Sequence, residues 1–548
     1  MRTTTLLLLS LVTCAAQAQP TPNSLRPDIT VEHYMNVRSN AVRLSMDPVS
    51  QQMHYLRTNG DVLVVIDDGL TAPYDSVLFT AADHALDQAF GMAFHDSDLY
   101  VIGNAITGNI AMGILHRARL RPDGSRIWSV AAQTSQYAWG GKGHGFNNVV
   151  VSPDGTELYL NCGSRTDHGE VQNVDGAFPN LREEPITAKI LRIPTDANDL
   201  MLFNNDLALA DAGRVFSYGL RNTFDMAFDA EGRLFGVENS GDHDDPEEMN
   251  WLRQGRHYGF PWTAGGNMNP TPMVGYDPVT DPLLNPGYPA AATDFYYDAS
   301  FPAGPSFYTE PMLNTGPDAD RLRDPFSGGM RDASDESLLM HTFTCHRSPL
   351  GLVFDNANIL DADLRGDAFM LSFTPGGDTL GFSPIAPWGI PVVPADPSGD
   401  LLHLKLEYDG ASDNFTVQAT RIVEGFYLAV DAELVGNELY VIENSGGSER
   451  SIWKVTLPMA TGMSESCVSP TNALSIWPVP CSDHVAWSTG SDTPTWITLI
   501  DMQGRIIRSE RPSATSGQLN VQAVPSGTYI LRAQFANSST HRRFSVVK

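Results

Sequence analysis

The sequence predicts an all-β protein, a six-bladed β-propeller followed by a small C-terminal β-sandwich. Three observations predict it. A unit made of an alternating apolar strand, a tight turn and a second strand recurs six times along the chain. The 548 residues include 47 Gly and 37 Pro, a supply suited to many turns rather than to long helices. After Leu457 the composition shifts to Ser, Thr, Met and Gly, and a compact β pattern follows.

Residues 1–18 read as a signal peptide: Arg2, the apolar core Leu6 to Val12, then Ala16-Gln17-Ala18 ahead of Gln19. Lipoprotein processing at Cys14 is the rival reading, with Thr13 a poor fit in front of it. No later stretch is long and apolar enough to read as a membrane helix, so the mature chain is expected outside the inner membrane, secreted or on the outer cell surface.

The propeller is expected over 28–458. Its copies begin at Ala41, Phe90, Phe146, Gly219, Leu350 and Leu428. Period-two patterning broken by turns such as Ser152-Pro-Asp-Gly155 makes antiparallel hairpins, because glycine supplies the positive φ that such turns need. One small sheet cannot bury both faces, so six are expected to pack around a common axis. A β-sandwich or β-helix array is the alternative. The irregular stretch Thr263 to Thr344 is too long for an ordinary connection and reads as a functional loop region or lid, or as a passive insertion. Residues 459–474 form a linker, and 475–548 a second domain.

The formal charge of −29 argues against a nucleic-acid partner, since neutralising phosphates takes clustered Lys and Arg. Past the signal peptide the cysteines are Cys162, Cys345, Cys467 and Cys481. Their even number permits disulfides, and Cys467 with Cys481 is the local pair.

The C-terminal segment carries Pro478 and Pro480, Asp501-Met-Gln-Gly-Arg505, Pro525-Ser-Gly-Thr-Tyr529 and an ending with Phe544 and Lys548. It resembles the C-terminal sorting domain of the type IX secretion system. That implies handling by this machinery and anchoring at the cell surface. The long domain carries Gly143-His144-Gly145, Gly219-Leu-Arg221-Asn222, Tyr258-Gly-Phe-Pro-Trp262, His346-Arg-Ser-Pro-Leu-Gly-Leu-Val-Phe354 and Arg365-Gly-Asp367. These resemble the glucose/sorbosone dehydrogenase family, soluble propellers that use pyrroloquinoline quinone and calcium.

The resemblance implies a sugar substrate whose C1 hydroxyl is oxidised to the lactone, with electrons passed to the quinone. His144 would be the catalytic base, a role suited to an imidazole that is neutral near neutral pH. Arg221 and Asn222 would contact the quinone. The acid-rich loop Glu238 to Glu248 offers hard oxygens suited to Ca2+; by resemblance the carbonyls at Ser240 and Gly241 would hold the ion, with Asp244 and Asp245 nearby.

Two departures stand out. Cys162-Gly163-Ser164 occupies the place of an aspartate that would orient His144, with Asp167 and His168 as nearby substitutes. Met370 to Phe382 also lacks the Lys and Arg that would meet the quinone's carboxylates, leaving Arg347 and Arg365 as candidates. The alternative function is a non-catalytic propeller that binds a glycan or a protein partner, and a third is a calcium-dependent propeller hydrolase such as a lactonase.

Overall fold

The computed structural model describes residues 21–548 apart from 87, 122, 285–292, 375–395, 445–449, 461–473, 479–480, 490–491, 502–504 and 536–538. The signal peptide, most of the linker and Cys467 of the expected Cys467–Cys481 pair lie outside the described residues, whereas Cys481 is described and buried. The all-β expectation holds, and each repeat corresponds to one sheet, antiparallel except for a short parallel pair in the second and in the fifth. The first sheet runs Ala41–Met46, Met53–Arg57, Val62–Ile66 and Tyr74–Phe79, and the second opens with Ala89–His95. The third opens with Phe146–Val151 and Glu157–Cys162, and the fourth is Thr223–Phe228, Leu234–Glu238 and Glu248–Leu252. The fifth opens with Pro349–Phe354 and the sixth with Ala429–Val435.

Thr30–Val37 does not lead into the first sheet; it pairs with Arg450–Thr456 as the outer strand of the sixth. This pairing ties the two ends of the long domain together. A contact across more than 400 positions leaves no local mark in the sequence.

Apolar cores lie between successive sheets. One unites Tyr55, Leu63, Leu99 and Ile442, another Phe146, Leu160 and Leu191, and a third Phe235, Met370 and Leu402. Each fully buried side chain of this size contributes about 1.5–3 kcal/mol. Strands near the C-terminus form a three-stranded and a four-stranded sheet, sharing a core that includes Trp487, Ile497, Leu531 and Phe544.

The first strands of the six sheets have one irregularity in common. Each breaks register with its neighbour just before its third residue, at Arg43, Gly91, Asn148, Asp225, Gly351 and Asp431. Such bulges re-aim a side chain. The first strand of each sheet also packs on that of the next, and the sixth on the first.

Arg43 is 2% exposed. Its Nε donates to the Phe90 carbonyl at 3.0 Å, and its Nη2 to the Asn147 and Phe224 carbonyls at 2.9 and 2.6 Å. Its Nη1 lies 3.3 Å from Asp225 and 3.6 Å from Asp431. Asp225 in turn accepts from Asn148 Nδ2 at 2.7 Å and from the Leu352 amide at 2.8 Å, while Asp431 accepts from the Leu44 amide at 2.7 Å. Backbones approach closely at the two glycine positions: a Cβ on Gly91 would sit 2.9 Å from the Asn148 Cα, which excludes one, and a Cβ on Gly351 would sit 3.2 Å from that of Asp431, a tight contact.

Burial raises the Asp431 carboxyl to about 7 against the pull of Arg43. Arg43→Met should therefore destabilise the long domain by about 3–5 kcal/mol in denaturant titration, because two carboxylates lose their cation. Asp431→Asn should behave differently. A raised carboxyl stabilises the fold while protonated, and that contribution is lost as pH rises from the unfolded value toward 7. Measured by calorimetry, the variant's Tm relative to the parent should climb between pH 5 and pH 8.

Candidate functional site

In an antiparallel hairpin the entrance of the first strand and the exit of the second lie at the same end. In sheets three and four this brings together the turn before Phe146, the loop after Cys162, the turn before Thr223 and the loop after Glu238. His144, Asp167 and His168, Arg221 and Asn222, and Asn239 to Asp245 are therefore neighbours. The backbone locks them: His144 N donates to Ser164 O at 3.0 Å, Gly163 N to Gly145 O at 2.8 Å, and Ser164 N to Arg221 O at 2.6 Å. Gly145 has φ 63°, and a Cβ there would lie 2.4 Å from Asn104 Oδ1. Gly163 gives His144 its room, since a Cβ would lie 2.5 Å from the histidine's own Cβ.

His144 Nδ1 lies 3.3 Å from the Ser164 carbonyl oxygen and 3.5 Å from Ser164 Oγ. Burial, reinforced by the Arg221 charge, pushes the imidazole down to about 3. Arg221 is 9% exposed. Its Nε and Nη2 donate to the Asp167 carbonyl and to Asp167 Oδ1, both at 2.8 Å, and Nη1 donates to the Asn239 carbonyl at 3.1 Å. Burial works to raise Asp167, but Arg221 and His168 prevail and hold its carboxyl well below the usual range. Asn222 Oδ1 accepts from Asn147 Nδ2 at 2.7 Å, and its Nδ2 faces Asn239 Oδ1 at 3.4 Å.

The acid loop divides differently from the expectation. Asp244 pairs with Arg323 Nε at 2.5 Å and with His346 Nε2 at 2.7 Å. Its ligand atom lies within 4.8 Å of those of Cys345 and His346, yet the arginine already neutralises it. Asp245 accepts from Asn267 Nδ2 and pairs with His243 Nδ1, both at 2.8 Å; with Asp281 it outweighs burial and lifts His243 to about 10. Both aspartates thus have partners inside the fold, and Asp244 also belongs to the Asp244, Cys345 and His346 cluster whose ligand atoms lie close enough to hold a metal ion. Ser240 and Gly241 sit beside a carboxylate not singled out in the sequence. Ser240 Oγ is 3.4 Å from Glu247 Oε1, Glu247 Oε2 is buried without a partner, and burial raises the acid to about 7. Gly241 approaches Asp167 so closely that a Cβ would lie 2.8 Å from its Oδ2.

A cavity of about 30 Å³ lies between Asp167, His168, Arg221 and Asp245 on one side and Asn269 and Phe295 on the other. The last two come from the long insertion, and Asn269 Nδ2 is bonded to the His168 carbonyl at 2.7 Å. The insertion therefore covers this end of sheets three and four.

Arg347 is fully buried against Asp400 and Asp396 at 3.1 and 3.4 Å, yet near enough to Glu247 for its charge to oppose the upward shift of that acid; Arg365 is exposed, its Nε bonded to the Leu360 carbonyl at 3.2 Å. Cys162 and Cys345 are buried free thiols. Among the described residues no helix is long and apolar enough to cross a membrane.

Residues 65–315 match the family described as Glucose / Sorbosone dehydrogenase, and residues 475–547 match the Secretion system C-terminal sorting domain. Both resemblances read from the motifs are borne out. Similar solved structures include the PQQ-bound aldose sugar dehydrogenase of Streptomyces coelicolor, at 14% identity and TM-score 0.44 over 80% of this chain and 99% of that one. The PQQ domain of pyranose dehydrogenase from Coprinopsis cinerea is 14% identical, with TM-score 0.46 over 81% of this chain and 99% of that one. The apo-form aldose sugar dehydrogenase of Escherichia coli is 13% identical, with TM-score 0.45 over 78% and 99%. No curated protein matches the chain.

Arg221→Met should cost about 3–5 kcal/mol in denaturant titration, since it strands a buried carboxylate. A depressed carboxyl stabilises the fold above its unfolded value, and that contribution is lost as pH falls through the folded value. The deficit of the variant should therefore be full at pH 7 and shrink as the pH is lowered below 4.

Proposed function

We propose, from the glucose/sorbosone dehydrogenase match of residues 65–315, that the chain is an exported sugar-binding protein. It is a six-bladed propeller whose site, at the mouth of sheets three and four, takes a sugar with a divalent cation and without pyrroloquinoline quinone. The sorting domain, a small sandwich, supports delivery by the type IX machinery to the cell surface or medium.

The balance of charge at the mouth carries this reading. The quinone brings three carboxylates, which need cations once buried. None of the undescribed segments between 21 and 460 contains Lys or Arg. The described cations near His144 and His168 include Lys142, Arg221 and Arg182, the last donating to the Gly169 carbonyl at 2.6 Å and paired with Asp298 at 2.6 Å. Lys142 Nζ is 2.9 Å from Asp242 and 3.7 Å from Asp294, and Arg221 pairs with Asp167 at 2.8 Å. Around them stand Glu247, Asp245 and Glu170. The residues present do not fit a tricarboxylate.

They fit a divalent cation. The partnerless Glu247 Oε2 beside Ser240 and Gly241 is a hard oxygen donor of the kind calcium takes. His144, Asn222 and Asn239 supply the polar edge that sugar hydroxyls need.

The second reading is the dehydrogenase: C1 hydroxyl to lactone, with His144 as base and Arg221 and Asn222 against the quinone. The convergence of those three side chains favours it. One experiment separates the two. The mature chain is titrated with calcium, with pyrroloquinoline quinone and with an aldose panel by calorimetry and thermal shift, and dye reduction is followed in parallel. Calcium should raise Tm in the parent and not in Glu247→Gln, an aldose should bind, and the quinone should not. Calcium-dependent quinone binding with aldose-driven dye reduction would establish the dehydrogenase instead.

A further inference from the structure

His168 is built unlike His144. Its Nδ1 lies 3.1 Å from Asp167 Oδ2 and 3.5 Å from Glu170 Oε2. Two carboxylates there fix the tautomer with hydrogen on Nδ1 and leave Nε2 with a lone pair. The turn is stiff, because Glu170 accepts from the Asp167 amide at 3.1 Å and from the His168 amide at 2.9 Å. The ring is clamped as well, stacked on Phe295 at 3.9 Å and 20°.

Nε2 is buried and has no partner among the described residues, in a side chain that keeps 11% exposure. The ring lines the cavity between Asp167, Arg221 and Phe295, which is large enough to hold a water. Arg221 lines the same cavity. Three of its five N–H groups are used by Asp167 and Asn239, which leaves two to meet a developing negative charge.

We propose that His168, oriented by Asp167 and Glu170, is a general base that activates a water in this cavity for hydrolysis of a sugar lactone. This rests on the reading of the mouth as a sugar site. A water O–H bond breaks as its proton passes to Nε2, and the water oxygen bonds to the lactone carbonyl carbon. The carbonyl electron pair moves onto oxygen, facing the free N–H groups of Arg221. Collapse of that intermediate breaks the ring C–O bond, and the leaving alkoxide takes the proton back from His168. The balance is lactone plus water to hydroxy acid, with no oxidant or reductant. The product ionises among Asp167, Asp245 and Glu170, and like charge favours its release.

The test uses the mature full chain and glucono-δ-lactone, with hydrolysis followed by pH-stat against the buffer rate and aldose binding measured separately by calorimetry. The parent should accelerate hydrolysis. His168→Asn should lower kcat/KM by about 100-fold or more, the scale of a lost general base, with aldose affinity unchanged. His168→Gln, which keeps a polar side chain against Phe295, should show the same loss and confirms it if the asparagine variant is poorly folded. Parent protein that binds an aldose but leaves the lactone at its buffer rate overturns the proposal, as does a well-folded His168 variant that hydrolyses like the parent. Absence of aldose binding would instead count against the sugar site itself.

Discussion

Everything in the long domain depends on how six first strands meet at Arg43. A buried guanidinium is costly unless its donors are met, and here carbonyls of the second, third and fourth sheets and carboxylates of the fourth and sixth meet it. Asp225 carries the link to the fifth sheet through the Leu352 amide, and Asp431 returns it to the first through the Leu44 amide. The sheets could pack on apolar faces alone, which are tolerant of small slides. The charged cluster is not tolerant, because each carboxylate needs its donor at a fixed distance. It sets the register in which the first strands enter.

That register is what places the site. His144, Arg221 and Asn222 sit one or two residues before first strands whose third residues belong to the cluster. A shift of either strand would separate Arg221 from Asp167 and leave both charges buried and unpaired. The site is thus held by nested ion pairs, those of Arg43 with Asp225 and Asp431 at the cluster and that of Arg221 with Asp167 at the mouth. Its remaining character is acidic, which favours cations and neutral polyols and disfavours anions.

Much of this was legible in the sequence. Alternating apolar residues and Asp-Gly turns revealed the sheets, because period two is a local property. The cluster also left a mark: the third residue of each first strand is Arg43, Gly91, Asn148, Asp225, Gly351 or Asp431, a polar residue or a glycine in an otherwise apolar run. Motifs were enough to bring His144, Arg221 and Asn222 to one place. They could not say that Asp244 would be taken by Arg323, which lies 79 positions away, nor that one oxygen of Glu247, Oε2, would be left without a hydrogen bond among the described residues. The setting of His168 was hidden for the same reason, since Phe295 comes from the insertion. Pairings of this kind are decided by tertiary distance, on which spacing in the chain is silent.

Hydrogen exchange across the long domain tests the central role of Arg43 most directly. In the parent, the amides of Leu44 and Leu352, which donate to Asp431 and Asp225, should open with the same free energy as the innermost strands around them. In Arg43→Met that protection should fall together in all six first strands. Loosening confined to Ala41–Met46 and its own sheet, with Pro349–Phe354 and Ala429–Val435 unchanged, would contradict the account.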